Sequence, residues 1–348
     1  MMMKGRLTAG RLILLAVLVA FILTGAAAEG PAFSSLNEAA KYVQENRPQE
    51  LDVGSVRWHP SDLMKLKAQM SGKAEIHFST KWSNLILTDR DTEIDLNQVE
   101  RISAEDIENV IALCPEVKKI TTTKHYYLKN DMMIALTDKY PEIEFVWMVC
   151  LKGRYRLPSN CTAYSTLNGP DEPEKLRSGN LDALQYVHGL KALDLGHNDI
   201  TDLDWLQYCP DLELLILSDN KKIKDITPIG ELNHLQYLEI FSTDTVDISP
   251  LANCTELIDL NLSAMKSVTD LSPLEGLTKL ERFWGTRMYG LSEEEKERFT
   301  SAHPGVQISF NAKHQTSDGW REHERYTHYC WCLKHQTWIP FGEPLPEK

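Results

Sequence analysis

A chain that returns to the same short phrase every 22 or 23 residues can fold only into something that repeats in space with the same step. The phrases are LKALDLGHNDI from Leu190, LELLILSDNKKI from Leu212, LQYLEIFSTDTV from Leu235, LIDLNLSAMKSV from Leu257 and LERFWGTRMYGL from Leu280, with first leucines 22, 23, 22 and 23 residues apart. Leu190, Leu193 and Leu195, with Leu212, Leu215, Leu217 and Leu235, Leu238, Ile240 after them, reach one interior only if each segment is extended and then bends. No single unit buries that face. Units stacked side by side at about 4.8 Å make a parallel sheet over a continuous core.

Asn198 and Asn220 stand where the chain leaves the strand, placed to satisfy backbone groups at the bend. Thr243, Met265 and Met288 replace them later, which predicts a weaker ladder toward the C-terminus. The return sides read Asp225-Ile226-Thr227-Pro228, Asp247-Ile248-Ser249-Pro250 and Asp270-Leu271-Ser272-Pro273. A hydroxyl followed by Pro starts a helix, here one short turn, with the hydroxyl expected to cap free amides. The pattern L-x-x-L-x-L-x-x-N with D-I-S-P-L on the return resembles the internalin-like class of bacterial leucine-rich repeats over roughly residues 181–291. The resemblance implies an α/β fold. It is a leucine-rich repeat solenoid with a curved parallel sheet, helical return segments in the N-terminal half and short turns in the C-terminal half.

Residues 1–28 read as a secretory signal. Lys4, Arg6 and Arg11 make a basic start, Leu12 to Leu23 is apolar but too short to span a bilayer, and Ala26-Ala27-Ala28 is a cleavage site. Its removal leaves 34 basic against 50 acidic groups, a net charge near −16, which excludes nucleic acid and anionic membrane surfaces and leaves basic or neutral partners. No later stretch is apolar for long enough to insert in a membrane. Residues 29–149 carry irregular repeats, with corners at Cys114-Pro115 and Tyr140-Pro141 that recur at Cys209-Pro210 in the regular repeats. Helices are expected from Ser103 to Leu113 and Asn130 to Leu136, and strands at Leu51–Val53, Ile76–Phe78, Ile94–Leu96, Lys119–Thr121 and Phe145–Val149. Residues 150–180 interrupt the repeat as an insertion loop, 181–310 hold the regular repeats, and 311–348, with Trp320, Trp331 and Trp338, are expected to cap the open end. No L-P-x-T-G sorting motif closes the sequence.

Cys114, Cys209 and Cys254 occupy an inward column and are expected to be buried thiols, whereas Cys150 and Cys161 flank a turn and could pair. His314, His323, His328, Cys330, Cys332 and His335 have metal-ligand chemistry, but no second Cys-x-x-Cys supplies zinc spacing, and the interleaved Tyr329 and Trp331 fit a packed strand. Phosphate loops, nucleophile elbows and H-E-x-x-H are absent from the sequence, and no cofactor, metal site or catalytic residue is assigned.

What remains is a binding surface. Side chains between the buried leucines point outward along each strand, in columns running Ala192, Leu214, Tyr237, Asp259, Arg282, then Asp194, Ile216, Glu239, Asn261, Trp284, then Gly196, Ser218, Phe241, Ser263, Thr286. Leu214, Ile216, Tyr237, Phe241 and Trp284 with Glu239 and Asp259 suit a protein or peptide carrying basic groups. The expected function is that of a secreted or surface-associated, non-catalytic binding module acting through its exposed sheet face. The alternative is a metal-binding or enzymatic tail carried on a repeat scaffold.

Overall fold

The structure is a computed structural model that describes residues 32–70, 74–168 and 174–346. The expected signal segment, residues 1–28, lies outside the described residues. Described residues up to Lys119 form one compact unit, and those from Ile120 onward a second.

The first unit opens with helix α1 (Leu36–Asn46), started by the Ser35 hydroxyl accepting from the Glu38 amide. Strand β1 (Glu50–Val56), helix α2 (Pro60–Gln69), strands β2 (Glu75–Trp82), β3 (Leu85–Thr88) and β4 (Glu93–Asp95) and helix α3 (Ala104–Leu113) follow. Strands β1 and β2 are parallel with Leu51 opposite Ile76, and β3 returns antiparallel to β2. Along β2 the buried side chains are Ile76, Phe78, Thr80 and Trp82, the period-two pattern of a half-buried strand. Helix α3 starts where expected, with Ser103 and Asp106 closing a reciprocal capping box and Ile107, Val110 and Leu113 turned inward.

The second unit runs β5 (Lys119–Thr121), helix α4 (Asn130–Lys139), β6 (Glu144–Val146), a hairpin of β7 (Met148–Lys152) and β8 (Tyr155–Pro158), then β9 (Ala163–Ser165), β10 (Ala192–Asp194), β11 (Leu214–Ile216), β12 (Tyr237–Glu239), β13 (Asp259–Asn261), β14 (Arg282–Trp284), helix α5 (Glu293–Ala302), β15 (Gln307–Ser309) and helix α6 (Glu324–His335). Strands β9 to β15 form one sheet in sequence order, every neighbouring pair parallel. Ala192 pairs with Leu214, Leu214 with Tyr237, Tyr237 with Asp259 and Asp259 with Arg282, so the sequence period is the strand-to-strand step. Each strand from β10 to β14 is left through a non-glycine residue at φ 59–60°: His197, Asp219, Ser242, Ala264 and Arg287.

The segment expected to interrupt the repeat supplies the first strand of this sheet. Ala163–Ser165 pairs with Ala192–Asp194, which puts Cys161 at the first-leucine position, with Tyr164 and Thr166 at the other two. All three are buried. The unit escapes the leucine pattern because none of its three inward positions is aliphatic. Residues 169–173 of the expected loop lie outside the described residues.

On the return sides, Thr227–Glu231, Ser249–Asn253 and Ser272–Leu274 are single 3-10 turns. Their caps differ from expectation. The Asp two residues earlier accepts the amide of Thr227, Ser249 and Ser272, each at 2.8 Å, because a carboxylate already aimed at the turn is the stronger acceptor. Cys114, Cys209 and Cys254 are buried, and burial pushes their thiols up to about 12. Cys150 and Cys161, which could have paired, are both free thiols. Cys150 lies in the hairpin strand β7, while Cys161 sits in the leucine column facing the core.

The asparagine ladder joins neighbouring units. Asn220 accepts the Ile200 amide at 3.0 Å and donates to the Leu195 and Leu217 carbonyls at 2.9 and 2.8 Å, so it ties its own bend to the one before. Asn198 does the same toward Leu176. Thr243 donates to the Ile240 carbonyl of its own unit, and Met265 and Met288 fill the column with apolar atoms. Asn220→Ala leaves the buried Ile200 amide without its acceptor and takes one donor each from the Leu195 and Leu217 carbonyls, and is expected to cost about 3 kcal/mol, against about 1 kcal/mol for Thr243→Ala, as read by urea unfolding. Equal losses would mean that the ladder does not join units.

Candidate functional site

Outward side chains of successive strands stand in register, so the face of β9 to β14 is a block of columns. The side chains expected there are there. Leu214, Ile216, Tyr237, Glu239, Asp259 and Trp284 all project from this face, yet none is exposed. Phe241 is also buried, outside the apolar cluster that Leu214, Ile216, Tyr237 and Trp284 join. The tail covers them.

The tail was expected over the open end of the core. Instead it runs back across the sheet from β14 to β9. Ala312 donates its amide to Thr286 Oγ1 at 3.2 Å, Trp284 Nε1 donates to the Ser317 carbonyl at 2.9 Å, and Asn261 donates to the Gln315 carbonyl at 2.8 Å. Trp320 is fully buried, with ring centroids 5.3 Å from Trp284 and 5.5 Å from Tyr237. Tyr329 then meets Tyr237 edge-on at 5.3 Å and stacks on Trp338 at 5.4 Å. At the far edge Trp338 donates its amide to Thr162 Oγ1 at 2.7 Å and its indole to Glu213 at 3.2 Å. The physical reason is area. A sheet face carrying Leu214, Ile216, Tyr237 and Trp284 offers a broad apolar surface, and covering it stabilises by about 25 cal/mol per Å².

Charges are matched across the same contact. Arg282 grips Asp259 with two bonds, Nε to Oδ1 at 2.8 Å and Nη2 to Oδ2 at 2.9 Å, and donates Nη1 to the tail carbonyls of Gly319 and Trp320. Its guanidinium also lies 4.6 Å from the Trp320 ring. From the tail, Arg325 Nε lies 3.0 Å from Asp259 Oδ2, near enough for ionic attraction though not aligned as a hydrogen bond, and Arg325 Nη2 donates to Glu281 at 2.6 Å. Glu239 accepts from the Tyr237 hydroxyl and from the Trp320 indole at 2.8 Å, with Arg321 Nη2 3.6 Å from its other oxygen. Burial, then Glu239, push the Tyr237 phenol far up, so it stays protonated and donates.

Trp320, Arg321, Arg325, Tyr329 and Trp338 are the residues that meet this face and that sequence reasoning did not place on it. Their signal is helical spacing. Arg325, His328, Tyr329, Cys332 and Leu333 are the buried side of α6, a stripe at i, i+3, i+4, i+7 and i+8 where a strand was thought to fit. The helix also disperses the histidines and cysteines. His323 caps it, His328 contacts the Ile339 carbonyl at 2.7 Å, His335 stacks on Trp331 at 4.0 Å, Cys330 is exposed and Cys332 is buried. Among the described residues no three His, Cys, Asp or Glu side chains converge as a metal site would need.

Asp194, in the same columns, accepts from Ser165 Oγ at 2.9 Å and the Gly196 amide at 3.0 Å, and burial raises its pKa to about 6. A carboxyl with a folded pKa above its ordinary value binds its proton more tightly when folded. Its penalty is therefore absent below about pH 4 and complete above about pH 6. Asp194→Asn is expected to flatten the fall of stability across that window by on the order of 3 kcal/mol. Thermal melts at successive pH values check it, and parallel curves for the two proteins would contradict the assignment.

Residues 188–231 match the family model described as Leucine Rich repeats (2 copies). No protein of curated function matches the sequence. Among solved structures, similar ones include an internalin of Listeria monocytogenes, 15% identical over 77% of this chain and 69% of that one with a TM-score of 0.36. Internalin C2 of the same organism is 21% identical over 61% and 87%, with a TM-score of 0.34. The leucine-rich repeat ectodomain of an Arabidopsis thaliana membrane receptor kinase, solved with Casparian strip integrity factor 2, is 14% identical over 76% and 33%, with a TM-score of 0.29. At these scores the likenesses carry no argument about function. The repeats matched over residues 188–231 are leucine-rich repeats, and the parallel strands stacked on their period make the fold a leucine-rich repeat solenoid.

Proposed function

We propose that this protein is a non-catalytic binding module for a protein or peptide, working through Leu214, Ile216, Tyr237, Glu239, Phe241, Asp259 and Trp284, and that its tail holds the place of the partner. One observation carries the reading. The segment lying on the face has the chemistry the face calls for: an indole against Tyr237 and Trp284, and guanidiniums against Glu239 and Asp259. A partner with arginines and aromatics then meets the groups the tail now meets. The acidic balance of the chain favours such a basic partner over nucleic acid. No described helix is long and apolar enough to cross a membrane, and the basic start and apolar run of residues 1–28 support secretion.

The test opens the face and asks what it selects. A chain ending at Asn311, and a full chain carrying Arg325→Glu, are each panned against a random peptide library beside the unaltered protein. The reading expects both opened forms to enrich peptides pairing Arg with Trp or Tyr, and Tyr237→Ala with Trp284→Ala to abolish the enrichment while circular dichroism is unchanged. Folded, opened forms that select nothing would refute it.

A further inference from the structure

Between α6 and the sheet the tail leaves a cavity of about 190 Å³, lined on the sheet side by Ser165, Asp194 and Tyr237 and on the helix side by Tyr326, Tyr329 and Cys330. Leu167 and Cys330 are exposed at its rim, so it communicates with solvent. Its charge is not balanced in the way its neighbours' are. Three carboxylates are buried under the tail. Asp259 has Arg282 and Arg325, and Glu239 has Arg321. Asp194 is also buried but, among the described residues, has no guanidinium or ammonium within ion-pair distance, the charge of Arg321 acting on it only from farther off. Its two oxygens take one neutral donor each, a hydroxyl and an amide, which leaves each with a free lone pair.

A buried carboxylate on a cavity wall without a cation is expensive unless a proton or a cation joins it. The remaining wall suits a cation with an apolar stem. Tyr237, Tyr326 and Tyr329 line the cavity from both sides, with Arg321 over the Tyr326 ring, and Leu214, Ile216 and Leu333 supply apolar surface for the stem. We infer that this cavity binds a small primary alkylammonium ion, with Asp194 as its counter-ion and Tyr237, Tyr326 and Tyr329 around its stem. Burial raises the proton affinity of Asp194, and the charge of Arg321 only partly offsets it. The site does not rest on the proposed partner binding, since an amine can occupy it with the tail in place.

The test uses the full chain at neutral pH. Calorimetric titration with n-butylamine is compared with 1-pentanol, which has similar bulk and no charge, and with potassium chloride. The inference expects one saturable butylammonium site, with pentanol and Asp194→Asn each weakening binding by about tenfold or more. Tryptophan emission of the Asn variant, unchanged from the parent, reports that the tail is still seated. The comparison of amine with alcohol needs no variant, so it stands even if the substitution disturbs folding. No saturable amine binding, equal binding of pentanol, or displacement by potassium at matched concentration would each overturn the inference, the first because a proton alone then satisfies Asp194.

Discussion

The carboxylate of Asp259, held by one guanidinium from the sheet and approached by another from the tail, ties the two layers of this unit together. Buried charge is tolerated only when it is paired, and removing one partner of such a pair costs about 3–5 kcal/mol. Arg282 satisfies Asp259 with two bonds and spends its remaining donors on the carbonyls of Gly319 and Trp320. Once those carbonyls are fixed, Trp320 has one place to lie, against Tyr237 and Trp284, and its indole reaches Glu239. The helix that follows then starts in the register that brings Arg325 to Asp259 and Tyr329 to Tyr237. A polar clamp sets the position, and aromatic packing of Trp320 and Tyr329 on the face adds apolar burial.

How much of this is legible in the sequence follows from what each element is made of. The period from Leu190 to Leu280 is written in aliphatic residues at fixed spacing, and the strands, their order and their register all follow from it. The strand Ala163–Ser165 obeys the same geometry with Cys161, Tyr164 and Thr166 inward, residue types that hide a repeat from a leucine count. The tail helix is hidden for a related reason. Its buried stripe is Arg325, His328, Tyr329, Cys332 and Leu333, which reads as polar until the acids that receive Arg325 are in view.

The outward columns gave the right side chains and the wrong solvent exposure. Alternation along a strand dictates that Tyr237, Glu239, Asp259 and Trp284 leave the core, but it is silent on what comes back to cover them. An acidic, aromatic sheet face and a tail containing Trp320, Arg321, Arg325 and Trp338 are complementary in composition. That complementarity becomes evident only when the two segments, separated by up to 176 residues between Thr162 and Trp338, are compared as possible partners. Asp194 is what the match leaves over, an acid of the same columns that no tail guanidinium reaches within ion-pair distance, Arg321 acting on it only from farther off.

The central claim is that the tail is seated on the sheet as a structured layer. Hydrogen exchange of the full chain, resolved to the amides of Glu324–His335 and of the strands beneath, tests it most directly. A seated helix predicts that those amides are protected to within about tenfold of the sheet amides, since the two layers open together. Exchange of the 324–335 amides at the rate of a free peptide, with the sheet still protected, would contradict the account.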